Sequence, residues 1–160
     1  MTVVSDTTAI TTLIKAGEEH LLRDLFGTVL VPHAVWGELV AFHSTLPDFV
    51  TLRVVPEKAQ PLPGTETLGR GEAEAIILAS ESSETLLITD DRKARAAASR
   101  LGIPCIGLVG LIVKAKQDGR LSSVRAELET LEKLGGLYLS NEVKTKALVL
   151  AGEASPPPSS

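Results

Sequence analysis

Leu86–Arg95 reads LLITDDRKAR. Leu86, Leu87 and Ile88 form a short apolar run of the kind a buried strand uses. Thr89, Asp90 and Asp91 end that run with two carboxylates. Ala94, Ala97, Ala98 and Leu101 then recur at i, i+3, i+4 and i+7, the apolar stripe of an amphipathic helix. The stretch is a strand, an acidic corner and a helix. In open α/β sheets, ligands bind in the crevice beyond the carboxyl ends of the strands. Carboxylates placed there have two uses. One can cap the free N–H groups of the helix start, or the pair can hold a cation.

Outward from this unit the chain keeps alternating. Thr2–Ser5 is β-prone and ends at Asp6. Ala9, Ile10, Leu13, Ile14 and Ala16 follow with helical spacing until Gly17, a plausible stop. Leu21, Leu22, Leu25 and Phe26 make a second helical stripe, and Thr28–Val31 a second strand. Pro32 suits the first turn of a helix, where its missing N–H is not needed. Val35, Leu39 and Val40 give that helix an apolar face, with Glu38 near its middle and Trp36 as a packing residue. Val50–Val55 reads as a third strand, and Pro56–Gly64 as a polar, proline-marked connection. A helix over about Gly71–Ser82 carries Glu72 and Glu74 in its first turn. Beyond the central unit, Ile103–Ile106 is a last short strand. Helices follow over Gly107–Lys116, over Ser123–Leu134, and from Ser140 to about Ala151. Such alternation implies a parallel sheet with crossover helices. One domain over 1–152 is expected, with a Pro/Ser tail over 153–160 that has nothing to bury and should be disordered.

The 160 residues suffice for a single domain with a sizeable core. Apolar residues make up 44% and aromatic ones 3%, so Leu, Val, Ile and Ala must build that core. The net charge of −4 means that nucleic acid must be met by a local basic patch or through metal. The single cysteine, Cys105, cannot form an internal disulfide and reads as a small buried thiol. No segment has the charged-then-apolar form of a signal peptide, and no apolar stretch is long enough to span a membrane. A soluble cytoplasmic protein is the default expectation.

In a parallel sheet Asp6 and the Asp90–Asp91 pair emerge at the same edge. Glu38 and either Glu72 or Glu74 complete the candidate acids. Singly each has an ordinary explanation as a cap, a solvated helix residue or a partner of a positive helix start. Jointly, converging carboxylates repel one another and raise one another's pKa values. A hard divalent cation offsets that repulsion; Mg²⁺ takes a few carboxylates, several waters and a phosphate oxygen, and activates water for attack on phosphorus. His20, His33 and His43 lack zinc-ligand spacing. No Walker loop and no G-x-G-x-x-G after a strand is present. Arg92 and Arg95 lie one turn apart beside the acidic corner, with Lys93 close by, and could guide phosphates toward a metal.

These residues carry a resemblance. VVSDTTAI at 3–10, VPHAVWGEL at 31–39, GRGEAEAIILA at 69–79 and LLITDDRKAR followed by LGIPCIGLVGLIVKAK at 101–116 stand in the order found in PIN-domain proteins. The chain resembles in particular the compact prokaryotic group related to VapC-type toxins. The resemblance implies a three-layer α/β/α fold around a central parallel sheet of about five strands. It also implies a Mg²⁺- or Mn²⁺-dependent ribonuclease site. By the same resemblance Asp6, Glu38, Glu72 and Asp91 match the family's four acids. Glu74 is the alternative to Glu72, and Asp90 is kept beside Asp91. A Glu at the third position, where many relatives have Asp, lengthens that ligand by one methylene. Thr8 and Thr89 look like hydroxyls that orient the acids. The resemblance further implies RNA as substrate and the role of toxin in a toxin–antitoxin pair. The crowding of Leu21, Leu22, Leu25 and Phe26 suggests a surface covered by a second copy, giving a homodimer, or by an antitoxin. A PIN-fold module that binds RNA or protein without cleaving is the competing expectation.

Overall fold

The computed structural model describes residues 1–56 and 61–156. Its chain alternates as the sequence suggests. β1 (Thr2–Ser5) leads into α1 (Thr7–Ala16) and α2 (His20–Phe26), then β2 (Val29–Val31), α3 (His33–Phe42) and β3 (Val50–Leu52). α4 (Arg70–Ser80), β4 (Thr85–Ile88), α5 (Arg92–Arg100), β5 (Cys105–Ile106) and α6 (Leu108–Gln117) follow, and α7 (Val124–Leu134) and α8 (Asn141–Leu150) close the chain. The five strands form one sheet in the order β3-β2-β1-β4-β5, every pair parallel.

Alternation along the strands makes the layers. Val3 faces one side of the sheet with Ile88, where α1, α2, α3, α6, α7 and α8 cover it. Val4 and Leu87 face the other, under α4 and α5. That second layer is alanine-rich: Ala75, Ala79, Ala94, Ala97 and Ala98 are buried there, and small side chains let the helices lie close on the sheet. The result is a three-layer α/β/α fold. The α1 stop at Gly17 needs a left-handed backbone, φ 72, so that the next N–H, that of Glu18, can return to the Leu13 carbonyl at 2.8 Å.

Several expectations shift. β3 ends at Leu52 rather than Val55, and β5 is only Cys105–Ile106, because Ile103 leaves the ladder to fill the α4–α5 side of the core. Leu21 and Leu22 are fully buried in the main core, with Leu25 and Phe26 packed half-buried against it. Their stripe is core, not a free surface awaiting a partner. Cys105 is half-buried rather than buried, with its thiol pKa raised by burial. The tail does not begin at 153, since the Glu153 carboxylate accepts from Lys116 Nζ at 2.9 Å and from Val124 N–H at 2.6 Å. Residues 157–160 of the expected disordered tail lie outside the described residues, as do 57–60 of the proline-marked connection. Among the described residues no helix is long and apolar enough to cross a membrane.

Candidate metal centre

The sheet order reverses at β1, whose neighbours β2 and β4 lead the chain away on opposite sides. Such a switch point leaves a crevice at the carboxyl ends of the strands. The β1–β4 register pairs Ser5 with Ile88, so the next residues, Asp6 and Thr89, stand side by side at that edge. Asp6 N–H donates to the Ile88 carbonyl at 3.1 Å, fixing the Asp6 backbone against β4.

Asp6 is 5% exposed. Its Oδ1 accepts from Ala9 N–H at 3.1 Å, capping α1, and its Oδ2 accepts from the Thr89 hydroxyl at 2.8 Å. Thr89 Oγ1 in turn accepts from Asp91 N–H at 3.2 Å, which links the acidic turn to Asp6. Burial raises the Asp6 pKa; the Ala9 and Thr89 hydrogen bonds lower it, and the charges of Asp90 and Glu72 raise it again, leaving it at about 6. Capping α1 leaves Asp6 in the crevice, where the same carboxylate is also held by the Thr89 hydroxyl.

The remaining acids divide. Glu72 and Asp90 are the two whose charge reaches Asp6. They line an open depression of about 560 Å³ together with Thr67, Leu68, Gly69, Asp91, Arg92 and Lys93. Glu74 turns aside, accepting from Ala34 N–H at 3.1 Å and from Arg70 Nε at 2.9 Å. Asp91 caps α5, its Oδ2 accepting from Ala94 N–H at 2.8 Å. Asp90 Oδ2 accepts from Leu108 N–H at 3.1 Å, at the start of α6. Glu38 is exposed on α3 and lies across from the start of α4, its Oε1 3.3 Å from where a Cβ at Gly71 would stand.

Two expected helpers are displaced. Thr8 is exposed on α1 and hydrogen-bonds none of the acids; of the two hydroxyls, Thr89 is the one that bonds Asp6. Arg95 does not face the depression: its Nη1 donates to the Thr89 carbonyl at 3.1 Å, bracing the end of β4 from the α5 side. Arg92 and Lys93 are the cations at the rim.

Three glycines matter that the sequence reading passed over. A Cβ at Gly69 would stand 2.5 Å from Glu72 Oε2, one at Gly71 3.3 Å from Glu38 Oε1, and one at Gly107 would overlap Asp90 Oδ1. Three acids thus rest where a side chain would displace or crowd them. The available signal was position: each glycine sits at or next to a helix start.

The donors fit a hard divalent cation. They are carboxylate oxygens, one buried beside two like charges, set in cradles kept open by glycine. Among the described residues no three His, Cys, Asp or Glu side chains form a ready-made cage. An ion here would keep several waters, as Mg²⁺ usually does.

The family described as a PIN domain matches residues 2–153 of the chain. A solved structure, a PilT N-terminus domain protein from the hyperthermophilic archaeon Sulfolobus solfataricus P2, is similar with a TM-score of 0.56 at 20% sequence identity. That likeness, one of fold, covers 72% of this chain and 93% of the archaeal one. No curated protein matches.

Proposed function

The chain belongs to the PIN-domain family, whose fold is of nuclease type, and on that footing we propose that it is a Mg²⁺- or Mn²⁺-dependent endoribonuclease. The observation that carries the proposal is the buried Asp6 carboxylate at the switch point, 5% exposed and held by Ala9 N–H and the Thr89 hydroxyl, with Asp90 and Glu72 near enough for their charges to add to the effect of burial.

Asp6, Glu72 and Asp90 would hold the ion, with Glu38 and Asp91 beside them. When bound, such an ion supplies Lewis acidity toward a phosphoryl oxygen and a water of lowered pKa. The chain's own residues do the rest. Ala9 N–H and the Thr89 hydroxyl fix both Asp6 oxygens, so the carboxylate keeps its aim without a rotamer search. Arg95 holds the Thr89 carbonyl, and with it the turn that presents Asp90. Arg92 and Lys93 bind phosphates at the rim and offset the repulsion between RNA and the acids. The same reading makes the protein the toxin of a toxin–antitoxin pair, with an antitoxin and a second copy of the chain as partners.

A PIN-fold binding module is the second reading. It draws on the use of both Asp90 and Asp91 at helix starts and on the lack of a ready-made cage among the described residues. End-labelled RNA incubated with Mn²⁺, Mg²⁺ or chelator separates the two. The nuclease cuts at internal positions only with metal. Asp6→Asn loses more than roughly 100-fold in rate, since losing a ligand exceeds the 10–100-fold typical of its outer partners. RNA retained but uncut under all conditions would establish the binding module.

A further inference from the structure

Gly107 joins β5 to α6 with φ −93 and ψ 177, a backbone that any residue adopts. Glycine is therefore not required by conformation; it is required by space. A Cβ there would overlap Asp90 Oδ1, and would stand 3.1 Å from Asp90 Cγ and 3.3 Å from Arg95 Nη1. The same carboxylate is anchored through Oδ2 to Leu108 N–H at 3.1 Å. Asp91, its neighbour, is held instead by Ala94 N–H, and only Asp90 of the two contributes to the charge around Asp6.

From this we propose that Gly107 is a positioning residue of the metal site. Having no side chain, it lets the Asp90 carboxylate lie against the start of α6, held there through Leu108 N–H, and so makes Asp90 rather than Asp91 the metal-binding acid of the pair. Arg95 Nη1, donating to the Thr89 carbonyl, lies 3.3 Å from the same Cβ position and so borders the space that Gly107 leaves open. An added methyl meets the end of a short side chain that can rotate away, so the fold absorbs it. What changes is the direction of Asp90. The inference rests on the metal-dependent reading above.

The test measures Mn²⁺ affinity by calorimetry and the Mn²⁺-induced rise in melting temperature, with circular dichroism as the check on folding. Gly107→Ala should keep the wild-type spectrum and a cooperative melt in chelator, while its Kd for Mn²⁺ weakens roughly tenfold or more, the usual effect of disturbing a ligand's support. Gly107→Ser places the same Cβ but adds a hydroxyl that can cap α6. It should be at least as stable as Gly107→Ala and equally impaired in Mn²⁺ binding. Gly37→Ala, where a Cβ would meet nothing within 4 Å, should bind Mn²⁺ as the wild type does. The decisive comparison is a double-mutant cycle. Gly107→Ala should add nothing to the loss already caused by Asp90→Asn, because it acts only through that carboxylate. Full additivity, unchanged affinity in Gly107→Ala and Gly107→Ser, or unchanged affinity in Asp90→Asn would each overturn the inference. A wild-type protein that gives no Mn²⁺ response would instead overturn the metal-dependent reading itself.

Discussion

Asp6 joins two demands in one carboxylate. It caps α1 and, at 5% exposure, stands beside Asp90 and Glu72. Burial and the neighbouring charges lift its pKa from the ordinary 3.8 to about 6, so the folded protein binds this proton more tightly than the unfolded chain does. The sign follows. Stability without metal is full below the ordinary value and is lost as pH rises through about 6. The loss is on the order of 3 kcal/mol, at 1.36 kcal/mol per factor of ten in proton affinity. Asp6→Asn keeps the cap, since Asn caps as well as Asp, and removes the charge. In chelator it should melt several degrees above the wild type at neutral pH, at roughly 2–4 °C per kcal/mol for a domain of this size. The difference should narrow toward about pH 4, where Asp6 is largely protonated. Melting curves at the two pH values decide it; a variant less stable than the wild type at neutral pH would mean that capping outweighs repulsion.

Among elements, the helix starts at the sheet's carboxyl edge are where the acids are used: Asp6 on α1, Asp91 on α5 and Asp90 on α6. The same device recurs away from the site. Glu153, just past α8, reaches the start of α7, accepting from Val124 N–H at 2.6 Å and Arg125 N–H at 3.1 Å while it pairs with Lys116 of α6 at 2.9 Å. Desolvation acts to raise its pKa, but Lys116 and the two N–H groups outweigh that and hold it at about 2. A lowered carboxylate pKa stabilises the fold fully above the ordinary 4.5, and that contribution is lost as pH falls toward about 2. Glu153→Gln should therefore cost roughly 1 kcal/mol at neutral pH, the worth of a helix cap, and progressively less in acid. Urea melts at neutral and acid pH read this out. A penalty that does not shrink in acid would assign the contact to packing instead of charge.

At the scale of the whole molecule the charge is −4, so RNA approaches a surface that repels it on average. Attraction must be local, and Arg92 and Lys93 are the cations that line the acidic depression. Two phosphate contacts to a single strand predict a slope of log affinity on log salt of about −1.4, at −0.7 per contact. Replacing Arg92 and Lys93 with Gln in the Asp6→Asn background, where RNA stays intact, should flatten that slope toward zero. An unchanged slope would place the phosphate contacts elsewhere on the molecule.

Features that are periodic or adjacent along the chain are legible without the fold. The run from Leu86 to Leu101 declared a strand, an acidic corner and a helix. The same logic located the eight helices and five strands of the described residues, because a buried stripe or an apolar run is a local pattern. It also put Asp6 and the Asp90–Asp91 pair at one edge, since strands in a parallel sheet share their carboxyl ends. The tertiary structure decided among neighbours. Glu72 and Glu74 are two residues apart, about 200° around a helix, so one lines the acidic depression while the other is drawn to Ala34 N–H and Arg70. Asp90 and Asp91 separate because one meets the start of α6 and the other the start of α5. Arg95 is taken from the RNA side by the Thr89 carbonyl, and Leu21 and Leu22 from the surface by the core. The long-range partners, Ala34 for Glu74 and Leu108 for Asp90, and the face of each element that meets the core are set by the packing of the chain, and no local spacing encodes either.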